Sequence, residues 1–151
     1  MTVIKKEEIV QAIGNQSEPS PWFAVKQEQI DQFADCTQDH QFIHIDQEKA
    51  KEGPFGATIA HGFLTLSMLT HLCDVTSCSI EGCHMAINYG FDKVRFINPV
   101  KVDSNIRSHS KILDIIEKKP GQFMIKTEVS VEIEGEDKPA LIAEWITMQF
   151  V

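Results

Sequence analysis

The run Thr58-Ile-Ala-His-Gly-Phe-Leu-Thr-Leu-Ser-Met-Leu-Thr-His-Leu-Cys73 decides how the rest of the chain has to be arranged. Read at helical spacing, Phe63, Leu64, Leu66, Met68, Leu69, Leu72 and Cys73 cover most of the circumference. A helix that is apolar nearly all round is stable only when enclosed. The expectation is one long central helix, buried by the remainder of the domain.

What encloses it is written in the second half of the chain. Met85, Ile87, Tyr89 and Phe91 alternate, and Val94 and Phe96 continue one position out of phase. A single slip in a period of two predicts a β-bulge near Asp92-Lys93. Asn98-Pro99 ends the run. A second strand is expected from about Ser104 to Ile116, and Lys119-Pro120-Gly121 has the chemistry of a turn. Phe123, Ile125, Thr127, Val129, Val131 and Ile133 then alternate without fault, and after a turn at 135–139 a last strand covers Leu141 to Val151. Long strands joined by short turns favour an antiparallel sheet.

The first half is helical. An extended segment at 18–25 carries Pro19, Pro21, Trp22, Phe23 and Val25. From Gln27, the positions Ile30, Phe33 and Ala34 fall on one helical face, and this helix ends near Cys36 or Thr37. Asp46 reads as the N-cap of a short helix from Gln47 to Glu52, stopped by Gly53-Pro54. The stretch from Gln38 to Ile45 reads as a loop. With no repeat and no linker, residues 1–151 read as a single α+β domain, in which a buried helix is wrapped by an antiparallel sheet.

Charge and composition narrow the function. A net charge of −8 argues against non-specific nucleic-acid binding, which needs a basic surface. Residues 91–126 hold eight Lys and Arg against four acids, so this segment is locally basic. It is either a solvated sheet surface or a patch for a phosphorylated ligand. No apolar stretch is long enough to cross a membrane, and Met1 to Glu8 lacks an apolar signal core, so a cytoplasmic protein is expected. His71, Cys73, Cys78, Cys83 and His84 cluster in sequence, but without a C-x2-C pair they are expected to be free thiols rather than zinc ligands.

The chemistry concentrates in Thr37-Gln-Asp-His-Gln-Phe-Ile-His-Ile-Asp46. Asp39 and His44 can converge across a loop closed by flanking helices, as an acid–base pair able to hold a water. By spacing alone they could equally be a capping carboxylate and a surface imidazole. Gly62, at the start of the central helix, adds a partner. A helix N-terminus offers unpaired N–H groups, and glycine lets a substrate approach them. Its N–H could stabilise an oxyanion. Alternatively, Gly62 only permits close packing.

The stretch Phe33-Ala-Asp-Cys-Thr-Gln-Asp-His-Gln-Phe-Ile-His44, with Gly53-Pro-Phe-Gly56 and Ile59-Ala-His-Gly-Phe-Leu64, resembles the motif region of the MaoC-like dehydratases. This hot-dog-fold family includes the R-specific enoyl-CoA hydratases, and the similarity points to its nodulation protein N-like branch. The resemblance implies a hydratase/dehydratase that adds water to a trans-2-enoyl thioester to give an R-3-hydroxyacyl thioester. It implies Asp39 and His44 as the catalytic pair, Gly62 as the oxyanion donor and Thr70 near a position that helps organise the site. Arg95, with Lys93 and Lys101, would meet coenzyme A phosphates. The substrate would be a thioester of coenzyme A or acyl carrier protein, with no metal or other cofactor, and the protein would be a homodimer or higher homo-oligomer. The hydratases usually read Gly-Asp-x-Asn-Pro-Leu/Ile-His in the loop. Here Gln38, Gln41 and Phe42 replace the Gly, Asn and Pro. A hot-dog thioesterase, attacking the carbonyl carbon, and a non-catalytic acyl-thioester binding module are the competing functions.

Overall fold

Four long strands carry the fold of the computed structural model, which describes residues 1–151, and the alternating sequence of β6 gives alternating burial. These strands are β4 (Met85–Phe96), β5 (Asn105–Lys119), β6 (Gln122–Ile133) and β7 (Leu141–Phe150). With the short β2 (Phe23–Ala24) they form one antiparallel sheet in the order β2-β5-β6-β7-β4. The phase slip in β4 is a register shift between Phe91 and Lys93, as expected, and a second shift lies between Asn88 and Gly90. A separate parallel ribbon pairs β1 (Thr2–Ile4) with β3 (Cys78–Ile80). The sequence reading did not anticipate this ribbon, nor the short helix α1 (Ile9–Ala12) that follows β1.

Helix α2 spans Gln27–Thr37 and buries Ile30 and Ala34. Helix α4 spans Gln47–Glu52, and the Asp46 side chain accepts a hydrogen bond from the Lys49 N–H, as an N-cap should. Between them the stretch read as a loop contains one helical turn, α3 (Phe42–Ile45).

The central helix is α5 (Gly62–Ser67) followed by α6 (Leu69–Leu72). The two are interrupted at Met68, but the Met68 N–H still reaches the Leu64 carbonyl and the Leu72 N–H the Met68 carbonyl. Enclosure is one-sided in the single chain. Leu64, Leu69, Leu72 and Cys73 are buried against the inner face of the sheet, where they meet Ile106, Val129, Val131, Leu141 and Ala143. Each such aliphatic side chain contributes roughly 1.5–3 kcal/mol. Phe63 on the other side is 67% exposed. Strand β4, at the sheet edge, leaves that side of the helix open.

The segment that brings chain to the helix start is clasped to the strand side of the fold. The Ala60 N–H donates to the Val100 carbonyl at 2.7 Å and the Val102 N–H to the Thr58 carbonyl at 2.9 Å. This clasp fixes where His61 and Gly62 stand.

Candidate active site

Asp39 lies in the link between α2 and α3, exposed, with its carboxylate facing the Gln41 N–H at 3.5 Å. His44 lies on α3 and is buried. Two bonds to the Ile59 backbone, one from the main chain and one from a side chain, dock α3 on the clasp. The Ile59 N–H donates to the Ile43 carbonyl at 3.0 Å, and His44 Nδ1–H donates to the Ile59 carbonyl at 2.7 Å. The Gln27 amide adds a bond to the His44 carbonyl at 2.7 Å and accepts from the Thr58 hydroxyl. Because a carbonyl can only accept, Nδ1 must carry the proton. The lone pair of His44 is therefore on Nε2. Burial holds the imidazole below its ordinary titration range. The Ile59 carbonyl opposes that shift, His61 reinforces it, and Asp39 opposes it.

His61 completes the centre. It is buried, its ring is stacked on that of His44 with centroids 3.7 Å apart, and its Nε2 meets the Asp39 carbonyl at 3.0 Å. Side-chain atoms of Asp39, His44 and His61 lie within 4.8 Å of one another. Two histidines and a carboxylate suggest a metal, but the stacking opposes it. A ligand lone pair lies in the ring plane. Two planes 3.7 Å apart and only 23° from parallel do not meet within a metal–nitrogen bond of about 2.0–2.1 Å. The cysteine and histidine cluster of residues 71–84 does not converge. Cys73 is buried and burial raises its thiol, Cys78 is pushed up to about 11 by the same cause, and Cys83 binds the Met85 carbonyl.

Gly62 begins α5, and its N–H has no acceptor within the chain. A β-carbon at this position would stand 3.1 Å from the Phe96 ring, so glycine also serves packing here. Thus Asp39, His44 and His61 come together, and Gly62, the next residue after His61, opens α5 with a free amide.

The MaoC-like domain family is matched over residues 8–136. The chain belongs to that family. It is 46% identical over 137 residues to nodulation protein N of Rhizobium leguminosarum bv. viciae, covering 90% of this chain and 85% of that protein. It is 42% identical over 139 residues to 3-hydroxyacyl-thioester dehydratase Z of Mycobacterium tuberculosis, covering 92% and 91%. The monoamine oxidase regulatory protein from Archaeoglobus fulgius superposes with a TM-score of 0.80 at 23% identity, covering 100% and 97% of the two chains. The R-hydratase PhaJ1 from Pseudomonas aeruginosa gives 0.70 at 21% identity, covering 91% and 81%. These two structures share the hot-dog fold: a curled antiparallel sheet around a helix.

The departures of this MaoC-like chain from the usual loop have a common physical meaning. Gln38 sits where the hydratases have Gly, with φ of 62°, a left-handed conformation that disfavours a side chain. Its amide donates to the Asp35 carbonyl at 2.6 Å and caps the end of α2. Gln41 stands at the N-cap of α3 without a capping bond, where Asn would cap. Phe42 is the first residue of α3, a position that favours Pro. The backbone path of this MaoC-like loop is kept by less suited residues.

Other expected site residues are spread out. Thr70 lines a cavity of about 630 Å³ between α6, the β1–β3 ribbon and the inner face of the sheet, with Trp145, Thr127 and Met85. Arg95 lies near the end of β4. In β4, Phe96 faces Gly62, so Arg95 faces the opposite side, and its side chain folds onto the Val94 carbonyl. Lys93 pairs with Glu144, Lys126 with Asp92 and Arg107 with Glu132, so part of the basic segment is neutralised by ion pairs on the sheet. Lys101 alone of the three basic candidates lies on the strand segment that pairs with Ile59, next to the site. His61 was missed by the sequence reading, although Ala60 and Gly62 on either side already marked a histidine in close-packed surroundings.

Proposed function

We propose that the chain catalyses the reversible addition of water to a trans-2-enoyl thioester, giving an R-3-hydroxyacyl thioester. The observation that carries this reading is the His44 tautomer. With Nδ1–H committed to the Ile59 carbonyl, Nε2 is left as a hydrogen-bond acceptor, on a ring that has a nitrogen within 4.8 Å of the Asp39 carboxylate. One water donates a hydrogen bond to each; as its oxygen adds to C3 of the enoyl group, one of its protons passes to the pair and the other stays on the oxygen. The electron pair moves through C2 to the thioester oxygen, where the Gly62 N–H stabilises the developing charge. The proton left on the acid–base pair returns to C2 from the same face, so one water is consumed and the centre is restored. Dehydration is the reverse. The steps use neither a metal nor a redox cofactor.

The name of the 42%-identical relative, 3-hydroxyacyl-thioester dehydratase Z, supports this reaction class. The acyl chain has a place to go. Thr70 stands eight residues beyond Gly62, roughly 12 Å along the helix, at the cavity. The carrier is coenzyme A or acyl carrier protein, and the bridge between Lys101 and Ile59 supports Lys101 as a contact for its phosphates. Strand β4 supports assembly as a homodimer. It is an open edge of 12 residues along which Met85, Ile87, Tyr89, Phe91 and Phe96 are exposed. No helix is long and apolar enough to cross a membrane, and we place the protein in the cytoplasm.

The test is incubation with crotonyl-CoA and a panel of longer enoyl-CoAs, following the enoyl absorbance and free thiol together. Loss of absorbance without thiol release is expected. Thiol release identifies a thioesterase, and neither signal across the panel refutes the proposal for coenzyme A esters.

A further inference from the structure

We propose that His61 is the positioning residue of this centre, holding the Asp39 link, the His44 ring and the Gly62 amide in one arrangement. The inference rests on the hydratase reading above and assigns a role to a residue outside the acid–base pair. Three contacts carry it.

The first is to the acid. The Asp39 carbonyl can only accept, so His61 Nε2 carries the proton of that 3.0 Å bond. The bond ties the exposed link at its functional residue. The second contact is to the base. The His61 ring lies between Phe33 of α2, at 5.0 Å and 50°, and His44, at 3.7 Å and 23°. It is the shelf that stops the His44 ring from rotating about its Nδ1 anchor. The third contact is covalent. Gly62 N–H belongs to the peptide whose carbonyl is that of His61, and a trans peptide holds C=O and N–H in one plane, pointing opposite ways. The His61 carbonyl accepts from the Thr65 N–H at 3.1 Å, along the helix. The Gly62 N–H must therefore point out of the helix start.

The remaining nitrogen separates this role from packing alone. His61 Nδ1 is buried and has no hydrogen-bond partner. A ring needed only as filler would be better served by an apolar side chain, because an unpaired buried acceptor is destabilising. The polar ring is retained where its other nitrogen reaches the Asp39 link. The titratable groups acting on His44 are His61 from the start of α5 and Asp39 from the α2–α3 link. Gln27, from α2, is uncharged.

Two variants divide the functions. His61→Phe keeps a flat ring and loses the bond to Asp39. His61→Gln keeps a donor and loses the stack. Both are expected to lower kcat on the order of 10²-fold, as small misplacements do, with KM within about twofold. In His61→Phe the acid limb of the rate profile should also move to higher pH, because a repulsive neighbour of His44 is gone. An NMR titration of the His44 ring, which needs no substrate, should shift the same way. That readout keeps the inference testable even if the enoyl thioester reading fails. Wild-type kcat, an unmoved acid limb and an unmoved His44 titration, with only Tm lowered, would reduce His61 to a structural residue. If His61→Phe does not fold, wild-type kcat in His61→Gln overturns the proposal by itself.

Discussion

His44 and Ile59, fifteen residues apart, are joined by a 2.7 Å hydrogen bond from a buried imidazole to a main-chain carbonyl. The bond selects the tautomer and so selects which nitrogen can work. Burial keeps His44 below its ordinary value of 6.5. The acid limb of kcat/KM should therefore fall below pH 6.5, not above it. The same shift acts on stability. Between the folded value and 6.5 the unfolded chain binds more protons, so this contribution is full above 6.5 and is lost as pH falls through the folded value. Melting curves from about pH 5 to 8 check this, with His44→Gln expected to flatten the dependence.

Asp39 is exposed and makes one long hydrogen bond, so Asp39→Asn should change stability by no more than about 0.5 kcal/mol. Its rate of hydration should drop by about 10²–10⁴-fold. His44→Ala should lose a similar factor but also cost about 1–3 kcal/mol, because it leaves the Ile59 carbonyl without its donor. Steady-state kinetics beside thermal melts separate the two. An Asp39→Asn enzyme with wild-type turnover would refute the site.

Gly62→Ala puts a methyl group 3.1 Å from the Phe96 ring. Phe96 is a half-exposed side chain and can move, so the cost should be moderate, about 1–2 kcal/mol. Adding Phe96→Leu should recover most of it. Differential scanning calorimetry of the single and double variants reads this coupling directly.

Gln38→Gly removes a side chain from a left-handed position and also removes the cap on the Asp35 carbonyl. Relief of strain of about 1–2 kcal/mol outweighs one exposed hydrogen bond of about 0.5–1 kcal/mol, so the variant should melt slightly higher. A lower Tm would mean that the cap matters more than the strain.

Tyr89→Lys places a charge in the middle of the open edge of β4, outside both the core and the cavity lining. Light scattering coupled to gel filtration should give a dimer mass for the native chain and a monomer mass for the variant.

Much of this was legible in the sequence because strands and helices announce themselves by period. The unbroken alternation from Phe123 to Ile133 and the slip at Asp92-Lys93 became β6 and the β4 bulge. Asp39, His44 and Gly62 were legible as a motif. The β1–β3 ribbon was not, because three-residue strands 74 or more positions apart carry no local pattern. Helix α3 is a single turn, too short to show a period. His61 needed the convergence of α2, α3 and α5 to reveal its stack.

The clasp between Thr58–Ala60 and Val100–Val102 makes the centre a separable unit of opening. Asp39, His44, His61 and Gly62 all hang from it, through the Ile59 carbonyl or through the chain itself. Its two bonds link two short stretches of chain that both lie outside the sheet, whereas β5, β6 and β7 are zipped along their whole length. Local opening there needs less free energy than global unfolding. On warming, turnover should fade while the circular dichroism of the sheet is still intact. The Ala60 and Val102 amides should exchange their hydrogens ahead of those in β6.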